Sequence, residues 1–187
     1  YLILRALCMK SDKDTVIIPA FTCPSIPAAI GRAGLKVKVC DISRNGFDFD
    51  RERLGEMIDG RTLCVVCAHL AGFPCDIEDL LKVTKSNDTE LVEDCAQAMG
   101  AEYNGKRVGQ FGSFGFFSLG RGKGLTTYAG GLIVTERKDY IGLLRTLLSD
   151  LSSGGVVVNM ADMAKMLSYS LFFHPHLFFY AKGAMRL

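Results

Sequence analysis

The sequence lacks any basic run or basic stripe interleaved with aromatics. Its 22 Lys and Arg stand against 20 Asp and Glu, a net charge of +2. So even a balance excludes the electrostatic footprint of a nucleic-acid-binding protein, and no nucleic acid is expected as a partner. An apolar run long enough to cross a bilayer, about 20 residues, is also missing. In the nearest candidate, residues 167–181, Ser168, Ser170, His174, Pro175 and His176 interrupt the run, and Lys182 follows it. Pro175 would break or kink a continuous helix. No membrane span is expected, and this apolar surface is expected to pack against a partner segment or a second subunit. The opening, Tyr1-Leu2-Ile3-Leu4-Arg5-Ala6-Leu7, has apolar residues at helical spacing but no basic start and no cleavage site, so no secretory leader is expected and the location expected is cytoplasmic. There is no initiating Met, and the chain is expected to be a piece of a longer protein. Internal repeats and low-complexity stretches are absent.

Cysteine is present seven times, an odd number, scattered singly through apolar stretches. That distribution excludes a disulfide framework and predicts reduced, buried thiols. The pair Cys64-Val-Val-Cys67 has metal-like spacing, but its setting reads as a strand. Residues three apart on a strand point to opposite faces, so a shared zinc is not expected, nor any other metal site.

The 187 residues, 49% hydrophobic, suffice for one domain with a real core. The patterns predict a helix over 1–9, a strand over 16–18 ended by Pro19, and a helix to Ala33 capped by Thr22 or Ser25 and closed by Gly34. A strand over 36–40 follows, then a helix over 51–58 capped by Asp50. A strand over 63–68 and a helix over 77–85 capped by Asp76 come next. Strand, helix, strand, helix argues for an α/β fold with a mostly parallel sheet covered by helices on both faces. Asn104-Gly105 predicts a tight hairpin. Strands over 112–118 and 131–135 and a helix over 138–151 complete a unit spanning residues 1–151. Ser152-Ser-Gly-Gly155 reads as a break, and residues 152–187 as a linker with an apolar helical segment interrupted at His174-Pro-His176.

Two stretches carry the chemistry. Leu91-Val-Glu-Asp94 reads as a buried strand that delivers the carboxylate of Asp94 at its C-terminal end. Phe117-Ser-Leu-Gly-Arg-Gly-Lys123 reads as a strand opening into a glycine-rich turn that presents Lys123. In open α/β sheets ligands collect beyond the carboxyl ends of the strands. A carboxylate and a lysine there suggest a cofactor with a cationic ring nitrogen and an aldehyde, which describes pyridoxal 5'-phosphate. Taken singly, Asp94 reads first as a strand-end cap and Lys123 as a solvated loop lysine. In the functional reading Asp94 keeps the ring nitrogen protonated through a charge-assisted hydrogen bond, and Lys123 is the Schiff-base amine. Ser118 is a candidate phosphate donor, and Gln97 lies where its amide could reach a phenolic oxygen. His69 is either a rim residue or structural. Gly120-Arg-Gly-Lys123 is not a nucleotide phosphate loop, because Gly124 stands where Ser or Thr would bind magnesium. An unrelated nucleotide-binding α/β domain is a rival reading, opposed by the missing dinucleotide glycine fingerprint after the first strand.

Taken in order, Val16-Ile-Ile-Pro-Ala-Phe-Thr-Cys-Pro24, His69-Leu-Ala-Gly72, Glu93-Asp-Cys-Ala-Gln97, Phe117-Ser118 with Lys123, and Gly130-Gly131 resemble the DegT/DnrJ/EryC1/StrS family of sugar aminotransferases, fold-type I pyridoxal-phosphate enzymes. The resemblance runs from about Tyr1 to Arg145. It implies that Asp94 pairs with the pyridinium nitrogen, Gln97 contacts the phenolic oxygen, Ser118 binds phosphate and Lys123 holds the cofactor covalently. Cys23 stands where the family usually stacks an aromatic on the cofactor ring, which places it among the cofactor-binding positions. Retention of Lys123 implies transamination, since a histidine replaces that lysine in the family's dehydratase branch. The implied reaction moves an amino group, usually from glutamate, to a nucleotide-linked keto sugar, in a homodimer. The family's small-residue run before the first long helix and its C-terminal small domain have no counterpart here. A remnant that keeps the sheet without catalysis is therefore the other expectation.

Overall fold

The structure, a computed structural model, describes residues 1–151 and 156–172. Its centre is a six-stranded sheet built from β1 (Thr15–Pro19), β2 (Lys36–Cys40), β3 (Thr62–Ala68), β4 (Glu90–Asp94), β7 (Phe114–Ser118) and β8 (Gly131–Val134). Their order is β2-β1-β3-β4-β7-β8. All neighbours are parallel except β7 and β8, which pair antiparallel. The mostly parallel α/β sheet expected from the alternation of elements is thus observed. Between β4 and β7 lies the hairpin of β5 (Glu102–Tyr103) and β6 (Lys106–Arg107). Asn104 and Gly105 have φ of 49° and 75°, the two positive values that a two-residue turn requires.

Helices cover both faces because every central strand is apolar on both sides. On one face, Cys64, Val66, Val92 and Phe114 pack with residues of α1 (Leu2–Cys8), α2 (Ser25–Arg32) and α5 (Lys138–Ser149). On the other, Val65, Cys67, Leu91 and Cys95 pack with α3 (Arg51–Met57) and α4 (Ile77–Ser86). Cys64 and Cys67 therefore sit on opposite faces, as their strand spacing predicts. A further helix, α6 (Val156–Phe172), begins five residues before Ala161, where the apolar pattern places the start of the helical segment. The boundary 152–155 and the break at His174-Pro-His176 lie outside the described residues. Among the described residues no helix is long and apolar enough to cross a membrane.

Asp50 caps α3 as expected, accepting from the Arg53 N–H at 3.2 Å. Gly34, at φ +80°, closes α2 as expected. Two other caps are not made. Asp76 precedes α4 but makes no cap hydrogen bond; its carboxylate takes the Tyr103 hydroxyl at 3.1 Å and the Arg51 guanidinium. The residue before α2 is Pro24, and neither Thr22 nor Ser25 caps the helix; the Ser25 hydroxyl turns back to the Cys23 thiol at 3.1 Å.

Candidate active site

Three elements of chain end on the same side of the sheet. β3 runs into His69 and a short 3-10 turn, Leu70–Gly72. β4 ends at Asp94, in parallel register with Ala68 of β3 and Phe116 of β7. β7 ends at Ser118, and the chain then loops out and returns as β8, pairing Ser118 with Gly131. Leu119 N–H donates to Gly130 O and Thr127 N–H to Leu119 O, each at 3.0 Å, which ties the loop's base. Gly122 at its tip has φ +79°, a conformation that glycine adopts at no steric cost. This is the carboxyl end of a parallel sheet, where α/β proteins collect ligands.

The loop forms one wall of a cleft of about 390 Å³ lined by Ala71, Gln97, Ser118, Lys123 and Leu125, among others. The Lys123 ammonium makes no hydrogen bond or ion pair among the described residues. Among the described residues Ser118 Oγ accepts only a long contact from the Gly120 N–H, 3.3 Å, and so keeps its own proton to donate. Gln97 Oε1 accepts the Ala71 N–H at 3.0 Å, which leaves its amide nitrogen for another acceptor. Asp94 is 7% exposed. One carboxylate oxygen accepts the Ala96 N–H at 2.9 Å, and the other makes no hydrogen bond among the described residues. Burial raises the Asp94 pKa, opposed by that N–H and by the nearby positive charge of Lys123. A cation placed against the free oxygen would relieve this cost.

Cys23 lies at the rim, exposed, within electrostatic reach of both Asp94 and Lys123. Hydrogen bonds with Ser25 hold its thiol below the usual range. The structure therefore gathers Cys23, Asp94, Gln97, Ser118 and Lys123 at one end of the sheet. His69 is not a rim residue. Its imidazole is fully buried, with Nε2 on Glu93 Oε2 at 3.1 Å and Nδ1 accepting the Cys75 N–H at 3.2 Å.

Glu93 is the residue the sequence reading passed over. Its carboxylate is fully buried and also accepts the N–H groups of Gly109, Phe111 and Gly112, each at 2.7 Å. Burial alone would raise its pKa, but His69 and these three donors together bring it below the usual carboxylate value. The chain from 109 to 112 is thereby pinned against β4, and Gly109 in turn packs on β7. A Cβ on Gly115 would lie 2.5 Å from the Gly109 backbone. The signal was a second carboxylate inside an apolar strand, on the side that faces the core.

Comparison with known proteins decides the family. Residues 1–164 match the model of the DegT/DnrJ/EryC1/StrS aminotransferase family. The chain belongs to this family. It is 36% identical over 128 residues to GDP-perosamine synthase of Escherichia coli O157:H7, covering 68% of this chain and 35% of that protein. Among solved structures, it superposes with TM-score 0.72 and 30% identity on DesI crystallised in the presence of its TDP-sugar product, covering 78% of this chain and 37% of DesI. It also resembles a GDP-4-keto-6-deoxymannose-3-dehydratase with a trapped PLP-glutamate geminal diamine, with TM-score 0.68 and 28% identity, over 77% of this chain and 40% of that one. The family member described here spans a little over a third of the length of the relatives it matches.

Proposed function

We propose that this chain carries the cofactor-binding part of a pyridoxal-phosphate-dependent aminotransferase that moves an amino group from glutamate to a nucleotide-linked keto sugar. Residues 1–151 form the cofactor-binding unit, and residues 152–187 are a linker and an apolar helical segment toward a further C-terminal domain. The working enzyme is a cytoplasmic homodimer. The observation that carries this reading is a buried carboxylate, Asp94, with one oxygen unengaged among the described residues, at the same end of the sheet as Lys123 and within reach of its charge.

The residues fit the cofactor. Asp94 would hold a proton on the pyridine nitrogen, gaining the partner that its desolvated carboxylate lacks. Ser118 would donate to the phosphate, Gln97 would offer its amide nitrogen to the phenolic oxygen, and Cys23 would stand at the ring-stacking position. Bound pyridoxal phosphate supplies an electron sink for the carbanion left when the substrate's α-proton departs. Lys123, on its glycine-rich loop, carries the cofactor between turnovers and moves that proton with its free amine. GDP-perosamine synthase by its name, and DesI by the TDP-sugar product it was crystallised with, support the acceptor class, and the dehydratase structure supports the cofactor and glutamate. A lysine at position 123 supports transamination over dehydration.

The test is to add pyridoxal phosphate to the protein and read the visible absorbance of a lysine-bound, protonated cofactor. Appearance of the band, with its loss on adding glutamate, supports the reading. Absence of the band from folded protein would leave a sheet that keeps the fold without the chemistry.

A further inference from the structure

Behind the cleft wall lies a buried group that the proposed chemistry does not use. Cys67 and Cys95 are 0% exposed, His69 1%, Cys75 6% and Glu93 0%. The Cys67 and Cys75 sulfurs and an imidazole nitrogen of His69 lie within 4.8 Å of one another. Cys75 Sγ is 3.4 Å from His69 Nδ1, while Nε2 of the same ring is on Glu93 at 3.1 Å. That is a thiol, a base and an orienting carboxylate in line, the arrangement that activates a nucleophile. The two sulfurs are unequal. A hydrogen bond with Cys67, helped by His69 and against the effect of burial, holds the Cys75 thiol below its ordinary range. The same bond, together with burial, pushes Cys67 well above it.

We propose that Cys75 and Cys67 form a reversible disulfide, with Cys75 attacking hydrogen peroxide and Cys67 as the resolving thiol. Cys75 passes its proton to His69 Nδ1, and the thiolate attacks one peroxide oxygen. The O–O bond breaks, and the leaving hydroxide takes the proton from His69 as water. Cys67 then attacks the sulfenic sulfur; its proton and the displaced hydroxide form a second water. Two thiols lose two electrons, and one peroxide becomes two waters. Of the two residues Cys75 is the more exposed, at 6% against 0% for Cys67, which suits it to the attacking role.

A divalent cation is the other ligand such a set invites. Structural zinc takes four donors. Here Cys67, Cys75 and His69 supply three, and Glu93 already accepts four hydrogen bonds, the full capacity of a carboxylate. The disulfide needs no fourth donor. It would bridge the base of the segment that carries Ala71 into the cleft wall, and it stands independently of the aminotransferase reading.

The test treats the whole chain with limiting hydrogen peroxide, blocks the remaining thiols with N-ethylmaleimide, and digests without reduction. Chymotrypsin cuts after Leu70, between the two cysteines. The expected product is a linked pair of peptides, lighter by two hydrogens than the free pair, with fragmentation placing the bond at Cys67 and Cys75 and dithiothreitol reversing it. In C67S, Cys75 should instead accumulate as a sulfenic acid captured by dimedone. A bond to Cys64 or Cys95 in place of Cys67 would overturn the proposal. So would a folded wild-type protein whose Cys75 stays reduced while the exposed Cys23 is oxidised.

Discussion

Glu93 accepts the Nε2–H of His69 at 3.1 Å where neither side chain has any exposed surface. The bond does more than pair two buried groups. Because His69 N–H also donates to the Asp94 carbonyl at 3.0 Å, it ties the end of β3 to the end of β4, where the candidate site begins.

Glu93→Gln should therefore destabilise the fold. A glutamine offers one acceptor oxygen and a donor NH₂ to a site that presents four donors. The expected cost is about 3 kcal/mol, measured by urea denaturation at neutral pH. The Glu93 pKa is lowered on folding. Its contribution is therefore present above the unfolded-state value of about 4.3 and is lost as pH falls through the lower folded-state value. The difference between wild type and E93Q should shrink in acid; a gap independent of pH would remove the electrostatic account.

Asp94→Asn should act in the opposite sense on stability. Burial raises the Asp94 pKa, so folding favours its protonated form. That contribution is full below the unfolded value of about 3.9 and is lost as pH rises through the raised folded value. Without cofactor, D94N should match or exceed wild type in Tm at neutral pH, with the gap opening from acid upward. With cofactor, most of the turnover should disappear. A variant that stays fully active marks Asp94 as a mere strand-end cap.

Lys123 is expected to be the residue that borohydride fixes to added pyridoxal phosphate. Peptide mapping of the reduced protein should place the label on the peptide containing Lys123. Lys123→Ala should lower turnover by at least about 10²–10⁴-fold, the range of a lost proton-transfer group. A label on another lysine assigns the site elsewhere.

Gly115→Ala tests packing. The added Cβ would lie 2.5 Å from the Gly109 backbone, which Glu93 holds in place, so neither side can yield easily. The expected loss is about 1–3 kcal/mol, read as a lower urea midpoint. Gly124→Ala, where nothing lies within 4 Å, is the control and should be nearly neutral.

The elements legible in the sequence were those specified by neighbouring residues. The apolar runs of β3 and β4, the Asn104-Gly105 turn and the Asp50 cap all depend on contacts a few positions away. The Asp76 cap failed because Arg51 and Tyr103, each at least 25 positions distant, compete for its carboxylate. Glu93 escaped notice for the same reason. Its backbone donors lie 16 to 19 positions downstream, in a stretch whose own pattern suggests only a loop and the start of a strand. Within the site, the end of β4 and the glycine-rich turn were readable as positions. The unengaged oxygen of Asp94 and the burial of His69 needed the folded chain.

The antiparallel course of β8 has a consequence for how this architecture can vary. A parallel strand after β7 would oblige the chain to cross to the far end of the sheet, carrying any inserted residues away from the cleft. Because β8 turns back, the two ends of the 119–130 loop are neighbours, joined by the bond from Leu119 to Gly130. Added residues there would spill over the ligand and leave every strand in register. Each doubling of a flexible loop costs only about 0.6 kcal/mol. The reach of the amine can thus drift through insertions and deletions while the scaffold keeps its shape, a division of labour well suited to diversifying substrates.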